Sequence, residues 1–317
     1  MNATELREAR PSSLPGAVLL MVAATALWGV SFVAPLVLNA YTPLAITFGR
    51  FFFYGLVSLA LLLVRYRAQP LGLAGWARAA AYGLAGNILF SLLVSFGVQD
   101  TGAEVVIPII GLLPICVSVA GGRALSAAAW RRLAVPLALV TLGLALVLVV
   151  QRGGLVRDAR LSWPGVAAAA ATVVIWTAYA LSNARFLRAH PSVSGAHWSC
   201  AIGVATFALA LVLAAWQALA TGAGVWRTAQ TPAQSPALFA AVTLVLGVGG
   251  SWLATICFNR ASSLLPMSLV GQLIVLETLF GIAYACLYRN TLPPAPQALG
   301  MALVLAGLWR AARTRFT

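Results

Sequence analysis

Residues 15–38 read PGAVLLMVAATALWGVSFVAPLVL, a run without a single charged side chain. A helix that crosses the hydrocarbon core of a bilayer needs about 20 predominantly apolar residues, and this stretch supplies them. It is too long for the apolar part of a leader peptide. It also holds Trp28 and Pro35, and no small-residue cleavage pattern follows, so it reads as a retained helix. The pattern recurs along the chain. Helical spans are expected at 15–38, 42–64, 76–98, 102–122, 133–151, 163–184, 195–217, 236–258, 264–287 and 295–311. Barrel strands would alternate polar and apolar residues over about ten positions, whereas these runs are longer and uniformly apolar.

The composition agrees. Hydrophobic residues make up 62% of the 317, charged residues only 8%, and mean hydropathy is +0.95. Soluble domains carry about 25% charged residues, so this chain lacks the polar surface to face water. The connections are short, the longest lying near 221–235, which leaves no room for a soluble catalytic or sensor module. Twenty basic residues, all Arg, stand against six acidic ones, for a net charge of +14. A basic chain suggests a nucleic-acid partner only where a soluble basic face exists. These Arg residues sit between apolar runs, so none is expected and the lipid bilayer is the partner.

The Arg residues do set an orientation. Fourteen fall at the two ends and in alternate loops: Arg7, Arg10, Arg65, Arg67, Arg78, Arg123, Arg131, Arg132, Arg185, Arg188, Arg260, Arg310, Arg313 and Arg315. Five fall in the remaining loops: Arg152, Arg157, Arg160, Arg227 and Arg289. The excess places both termini in the cytoplasm. Cys116, Cys200, Cys257 and Cys286 all lie in spans without C-x-x-C spacing and read as small packing residues.

A shift of 148 positions (176 − 28) superimposes the first two spans on spans six and seven: Trp28 falls on Trp176, Pro43 on Pro191, Gly55 on Gly203 and Ala60 on Ala208. Five spans in each half mean that the second half enters the membrane the opposite way. The expected fold is therefore an all-α membrane protein with ten transmembrane helices in two inverted-topology five-helix repeats, residues 1–154 and 155–317, around a central cavity. Secondary transporters are built this way, with the substrate at the repeat interface near the bilayer midplane.

The residues also resemble a known family. Ala26-Leu27-Trp28-Gly29-Val30-Ser31-Phe32-Val33, followed by Thr42-Pro43-Leu44 and by Arg50 in the second span, is similar to the opening of the EamA-type drug/metabolite transporter superfamily. Ile175-Trp176-Thr177 repeats it weakly, Leu112-Leu113-Pro114 matches the fourth-span segment, and Leu276-Glu277-Thr278 is similar to the family's L-E-P segment. Thr278 replaces the usual Pro, and Thr291 stands where an acidic residue is often found. Ala103-Glu104-Val105 and Ile175-Trp176-Thr177-Ala178-Tyr179 resemble the exporter group for aromatic and other neutral amino acids. The resemblance implies helices 1–4 and 6–9 around a cavity, helices 5 and 10 outside it, and efflux of small metabolites without ATP hydrolysis or a cofactor, from a bacterial-type inner membrane.

Ionisable groups inside a span are unfavourable by about 2.5–3.5 kcal/mol on insertion scales, so each needs a partner or a cavity. Arg50 reads either as an interhelical clamp, with Glu277, Asp100 and Glu104 as rival partners, or as a contact for a substrate carboxylate. Glu277 reads as a structural pair or as a substrate or proton site. Trp28, Tyr82, Trp176, Tyr179 and Trp252 supply aromatic walls that stack on apolar groups or hold a cation. Asn87 and Gln272 add amide donors and acceptors. Any single aromatic also reads as packing between helices or as an interface-belt residue, but the repeat would set Trp28 and Trp176 on opposite walls of one cavity. Pro108 and Pro114 in the fourth span and Pro266 near the ninth mark kinks, static or hinged.

No motif of a membrane-embedded enzyme occurs; His190 and His197 are not gathered with other catalytic groups, and no phosphate-binding G-x-x-x-x-G-K-[ST] is present. A secondary transporter of a small molecule is expected, with amino acids favoured by the aromatic residues. Drugs or other cations, and sugar phosphates or nucleotide sugars, are the alternatives; the phosphates would call for several deep cations, and only Arg50 is deep. Monomer and homodimer stay open.

Overall fold

The structure is a computed structural model that describes residues 14–66, 71–121, 127–152, 161–190, 193–221, 234–265 and 273–312. Among them no strand occurs, and ten helical units follow one another. These are α1 (Leu14–Val37), α2 (Pro43–Arg65), α3 (Leu73–Thr101), α4 (Ala103–Ile110 and Leu113–Gly121) and α5 (Ala127–Arg152). Then come α6 (Trp163–Ala189), α7 (Gly195–Thr221), α8 (Pro236–Leu244, Val245–Leu253 and Ala254–Leu264), α9 (Leu276–Arg289) and α10 (Ala295–Ala312). Six of them, α1, α2, α3, α6, α7 and α8, are long and apolar enough to cross a membrane.

Local chemistry explains the starts. Thr42 is extended, and its hydroxyl accepts from Ala45 N at 3.2 Å, while Pro43 occupies the first helical position, where its missing N–H is no loss. The Thr-Pro-Leu signature is thus a helix start. Ser235-Pro236 repeats the device at α8, with Ser235 Oγ accepting from Ala237 N at 3.1 Å.

Two expected helices are broken. The span expected over 102–122 stops at Ile110 and restarts at Leu113. Pro114 has no N–H to give to Ile110 O. The span expected over 264–287 is not continuous either: α8 runs on to Leu264, and α9 begins at Leu276 after a turn at Val275. Pro266 and Gln272, expected near its start, lie outside the described residues.

α3 and α8 each carry a π-helical segment, Gly83–Leu89 and Val245–Leu253. In both, glycines let the backbone approach neighbouring helices. A Cβ on Gly83 would lie 2.6 Å from Thr206 Oγ1 of α7, and one on Gly86 would lie 2.7 Å from the Tyr179 ring of α6. A Cβ on Gly247 would lie 2.9 Å from Phe53 Cβ and Tyr54 N of α2, and one on Gly250 3.3 Å from Leu27 O of α1. Gly247 follows Gly83, and Gly250 follows Gly86, by the same 164 positions (247 − 83).

The same offset governs the α5–α10 contact. A Cβ on Gly143 would lie 2.8 Å from Val304 N, and one on Gly307, 164 residues later (307 − 143), 3.1 Å from Val140 N. Helix pairing follows suit: α1 packs on α8 and α9 as α6 packs on α3 and α4, and α2 packs on α8 as α7 packs on α3. α2 and α7 cross each other at Gly55 and Gly203, the two glycines that coincide at an offset of 148 (203 − 55).

The largest apolar cluster surrounds the first piece of α4, in which every residue but Glu104 is buried; Phe32, Val94, Val147, Val173 and Met301 pack around it. Large apolar side chains such as Leu63, Val64, Val149, Val174, Val212 and Leu219 stand exposed, as a lipid-facing surface requires.

Candidate functional site

Arg50 sits in the second turn of α2, about 10 Å from the helix start at 1.5 Å per residue. Glu277 sits in the first turn of α9, about 18 Å from that helix's far end, which lies at the same end of the molecule as the start of α2. The two interact electrostatically. No Arg50 nitrogen comes within 4.0 Å of a Glu277 oxygen, so they do not form a direct ion pair.

The partners of Arg50 decide what it can do. Its Nε donates to Ser251 Oγ of α8 at 2.9 Å, and the guanidinium lies 5.4 Å from the Phe51 ring. A guanidinium carries five N–H donors. Among the described residues the other four have no acceptor, and their nitrogens keep accessible surface. Glu277 likewise accepts no hydrogen bond from the described residues, and its oxygens also keep accessible surface. Both groups are half-buried. The Arg50 guanidinium and the Glu277 carboxyl group therefore interact without being joined.

Aromatic and hydroxyl groups extend from this pair. Tyr54, one turn beyond Arg50, is in electrostatic range of both Arg50 and Tyr179. Its hydroxyl donates to Ser199 O at 3.2 Å. Tyr179 stacks edge-on with Tyr82 at 5.7 Å and with Trp176 at 6.0 Å. Tyr82 shares a 2.8 Å hydrogen bond with Ser182. Trp28 packs on Phe258 of α8 at 5.2 Å, and Trp252 packs beside Phe51 and Tyr54. Trp28 stacks across to α8 of the second half, whereas Trp176 stacks within α6.

Other expected site residues lie elsewhere or are committed. Glu104 does not serve Arg50: it forms an ion pair with Arg289 that fastens the start of α4 to the end of α9. Nearby, Tyr288 donates to Leu36 O at 3.3 Å, so this pair belongs to a fastened end of the bundle. Asp100 lies at the start of α6, where its Oδ2 would be 3.0 Å from a Cβ on Gly165. Asn87 donates to Thr206 Oγ1 at 2.9 Å and thereby ties α3 to α7. Pro108 is buried within α4, and Pro114 starts its second piece.

Sequence reasoning missed Ser251 and Tyr54. Tyr54 could have been found, because four residues after Arg50 it shares a helix face with it. Ser251 carried no signal, since its role depends on which helix α8 packs against. Among the described residues no group of His, Cys, Asp and Glu could hold a metal ion.

Residues 15–149 match the EamA-like transporter family. Over 315 residues the chain is 32% identical to the inner membrane protein YtfF of Escherichia coli (strain K12), covering 94% of this chain and 95% of that one. The chain belongs to the EamA-like transporter family. A solved crystal structure, described only as that of a protein, is 19% identical and superimposes with a TM-score of 0.59 over 94% of this chain and 96% of that one; at that identity it shows the fold alone. Family membership makes the chain a membrane transporter and not an enzyme.

Proposed function

We propose that the protein is an inner-membrane exporter of neutral amino acids, chiefly aromatic ones, with both termini in the cytoplasm. In this reading residues 1–154 and 155–317 form two inverted five-helix repeats that rock about a central site, which opens to each side in turn. The glycine contacts matched between α3 and α8 and between α5 and α10 support the repeat, and the inner-membrane location of YtfF supports the compartment.

One observation carries the substrate assignment. Among the described residues Arg50 has four N–H donors without acceptors, Glu277 has two oxygens without donors, and the two groups interact without forming an ion pair. A zwitterion fits such a pair: its carboxylate meets Arg50 and its ammonium meets Glu277. Trp28, Trp176, Tyr179 and Trp252 then provide faces and edges for an aromatic side chain. Sugar phosphates are less suited, because Arg50 is the single deep cation among the described spans.

Counterflow into liposomes containing the purified protein tests the proposal. Aromatic and aliphatic neutral amino acids should exchange, aromatic ones faster, while acidic and basic ones should not. Flux of a sugar phosphate or a cationic drug, with none for any amino acid, would overturn it.

A further inference from the structure

We infer that Ser251 is a positioning residue that sets which way round a substrate lies. It holds the Arg50 guanidinium so that a carboxylate is bound on the α2–α8 side and the side chain points towards α3 and α6. The inference rests on the amino-acid reading above.

Ser251 lies in the π-helical segment of α8. Its hydroxyl donates to Leu246 O, five residues back, at 3.1 Å. A hydroxyl has one proton, so with that proton committed its lone pairs are the groups left for Arg50, and Arg50 Nε donates to them at 2.9 Å. An ordinary α-helical turn would bond to the carbonyl four residues back; the π turn makes the fifth carbonyl the partner. Gly247, in the same segment, brings the α8 backbone against Arg50 O, Phe53 and Tyr54. The long, flexible Arg50 side chain is therefore fixed through Nε, and its remaining four donors are left for a ligand.

The equivalent place in the other half does something different. Asn87 stands in the π segment of α3 as Ser251 stands in that of α8, again 164 residues apart (251 − 87). Asn87 donates to Thr206 Oγ1 at 2.9 Å, and Thr206 in turn gives its proton to Ile202 O at 2.7 Å. That chain of bonds ends on backbone and holds no cation. Two matching positions thus do different work, one tying α3 to α7 and the other aiming a guanidinium. The charge lies on the α2–α8 side, and the Tyr82–Tyr179–Trp176 group lies on the α3–α6 side.

The test compares L-phenylalanine with L-phenylalaninamide, which lacks the carboxylate, for binding to the full-length protein in nanodiscs. Ser251→Ala should weaken phenylalanine binding about tenfold, about 1.4 kcal/mol, and leave the amide within about twofold. Ser251→Thr, which keeps the hydroxyl, should retain the wild-type ratio, and Asn87→Ala should not change it. Should Ser251→Ala fail to fold, Ser251→Cys, of similar size but a weak acceptor, gives the same comparison. An acid-to-amide ratio unchanged from wild type in Ser251→Ala or Ser251→Cys, whether both ligands weaken together or neither does, would overturn the inference alone. A wild-type protein that binds neither ligand would overturn the amino-acid reading with it.

Discussion

Gly247→Ala tests whether the approach of α8 to α2 sets the Arg50 geometry. The new Cβ would lie 2.9 Å from both Phe53 Cβ and Tyr54 N, and closer still to Arg50 O. Ordinary contact starts near 3.4 Å, so the helices must separate by at least about 0.5 Å locally, as overpacking of a tight contact demands. The Arg50–Ser251 bond, now 2.9 Å, would then stretch towards or past the 3.5 Å limit of a hydrogen bond. Overpacking by a single methyl group destabilises by about 1–3 kcal/mol. Loss of a hydrogen bond to a charged group adds about 1.5–3 kcal/mol where the ligand depends on it. Two measurements on the detergent-purified protein check this: thermal unfolding and equilibrium binding of a neutral amino acid. Unfolding should move down by several degrees, and affinity should fall by about tenfold or more. A Gly247→Ala protein with wild-type unfolding and wild-type affinity would show that close approach of α8 does not govern the Arg50 geometry.

Gly143→Ala, at the α5–α10 crossing, should destabilise by a comparable amount, because its Cβ would lie 2.8 Å from Val304 N. It should leave the order of substrate preference untouched in counterflow, since that crossing lies away from Arg50 and Glu277. Glu277→Gln removes the anion but keeps the shape: amino-acid affinity should drop by about tenfold or more, while an analogue without an ammonium group, measured by competition, should bind unchanged. Glu104→Gln should weaken the fastening of α4 to α9 and lower the unfolding temperature modestly, as for a partly buried ion pair worth about 1 kcal/mol. Single cysteines placed at Arg131 and Arg157 should be labelled from inside and outside respectively; labelling of position 131 from outside would reverse the orientation proposed from the Arg count.

Membrane embedding, helical class and the family motif of the first two spans were legible in the chain itself, because all three rest on local properties. Apolar run length needs only composition, and Thr42-Pro43 needs only the geometry of a helix start. The correspondence of positions between the first and second halves of the chain was only half legible. The offset of 148 holds for spans one and two, but the packing of α3, α5, α8 and α10 follows 164. The extra residues fall between α7 and α8, where no pattern marks them, and glycine matches carry little weight in so apolar a chain. Packing gives those glycines meaning, since Gly83 and Gly247 touch equivalent neighbours. The continuity of helices was also beyond local reading: Pro114 and Val275 lie where α4 and α9 break, and the run of apolar residues passes straight through both.

Charge pairing was decided entirely in three dimensions. The sequence by itself determined that Arg50, Glu104 and Glu277 are rare polar groups in an apolar chain, since hydrocarbon penalises each of them wherever it sits. Only the tertiary structure decided that Glu104 goes to Arg289, that Ser251 takes the Nε of Arg50, and that Arg50 and Glu277 face each other unjoined. Partnership between charges depends on distances across helices far apart in the chain, and those are set by how ten helices pack.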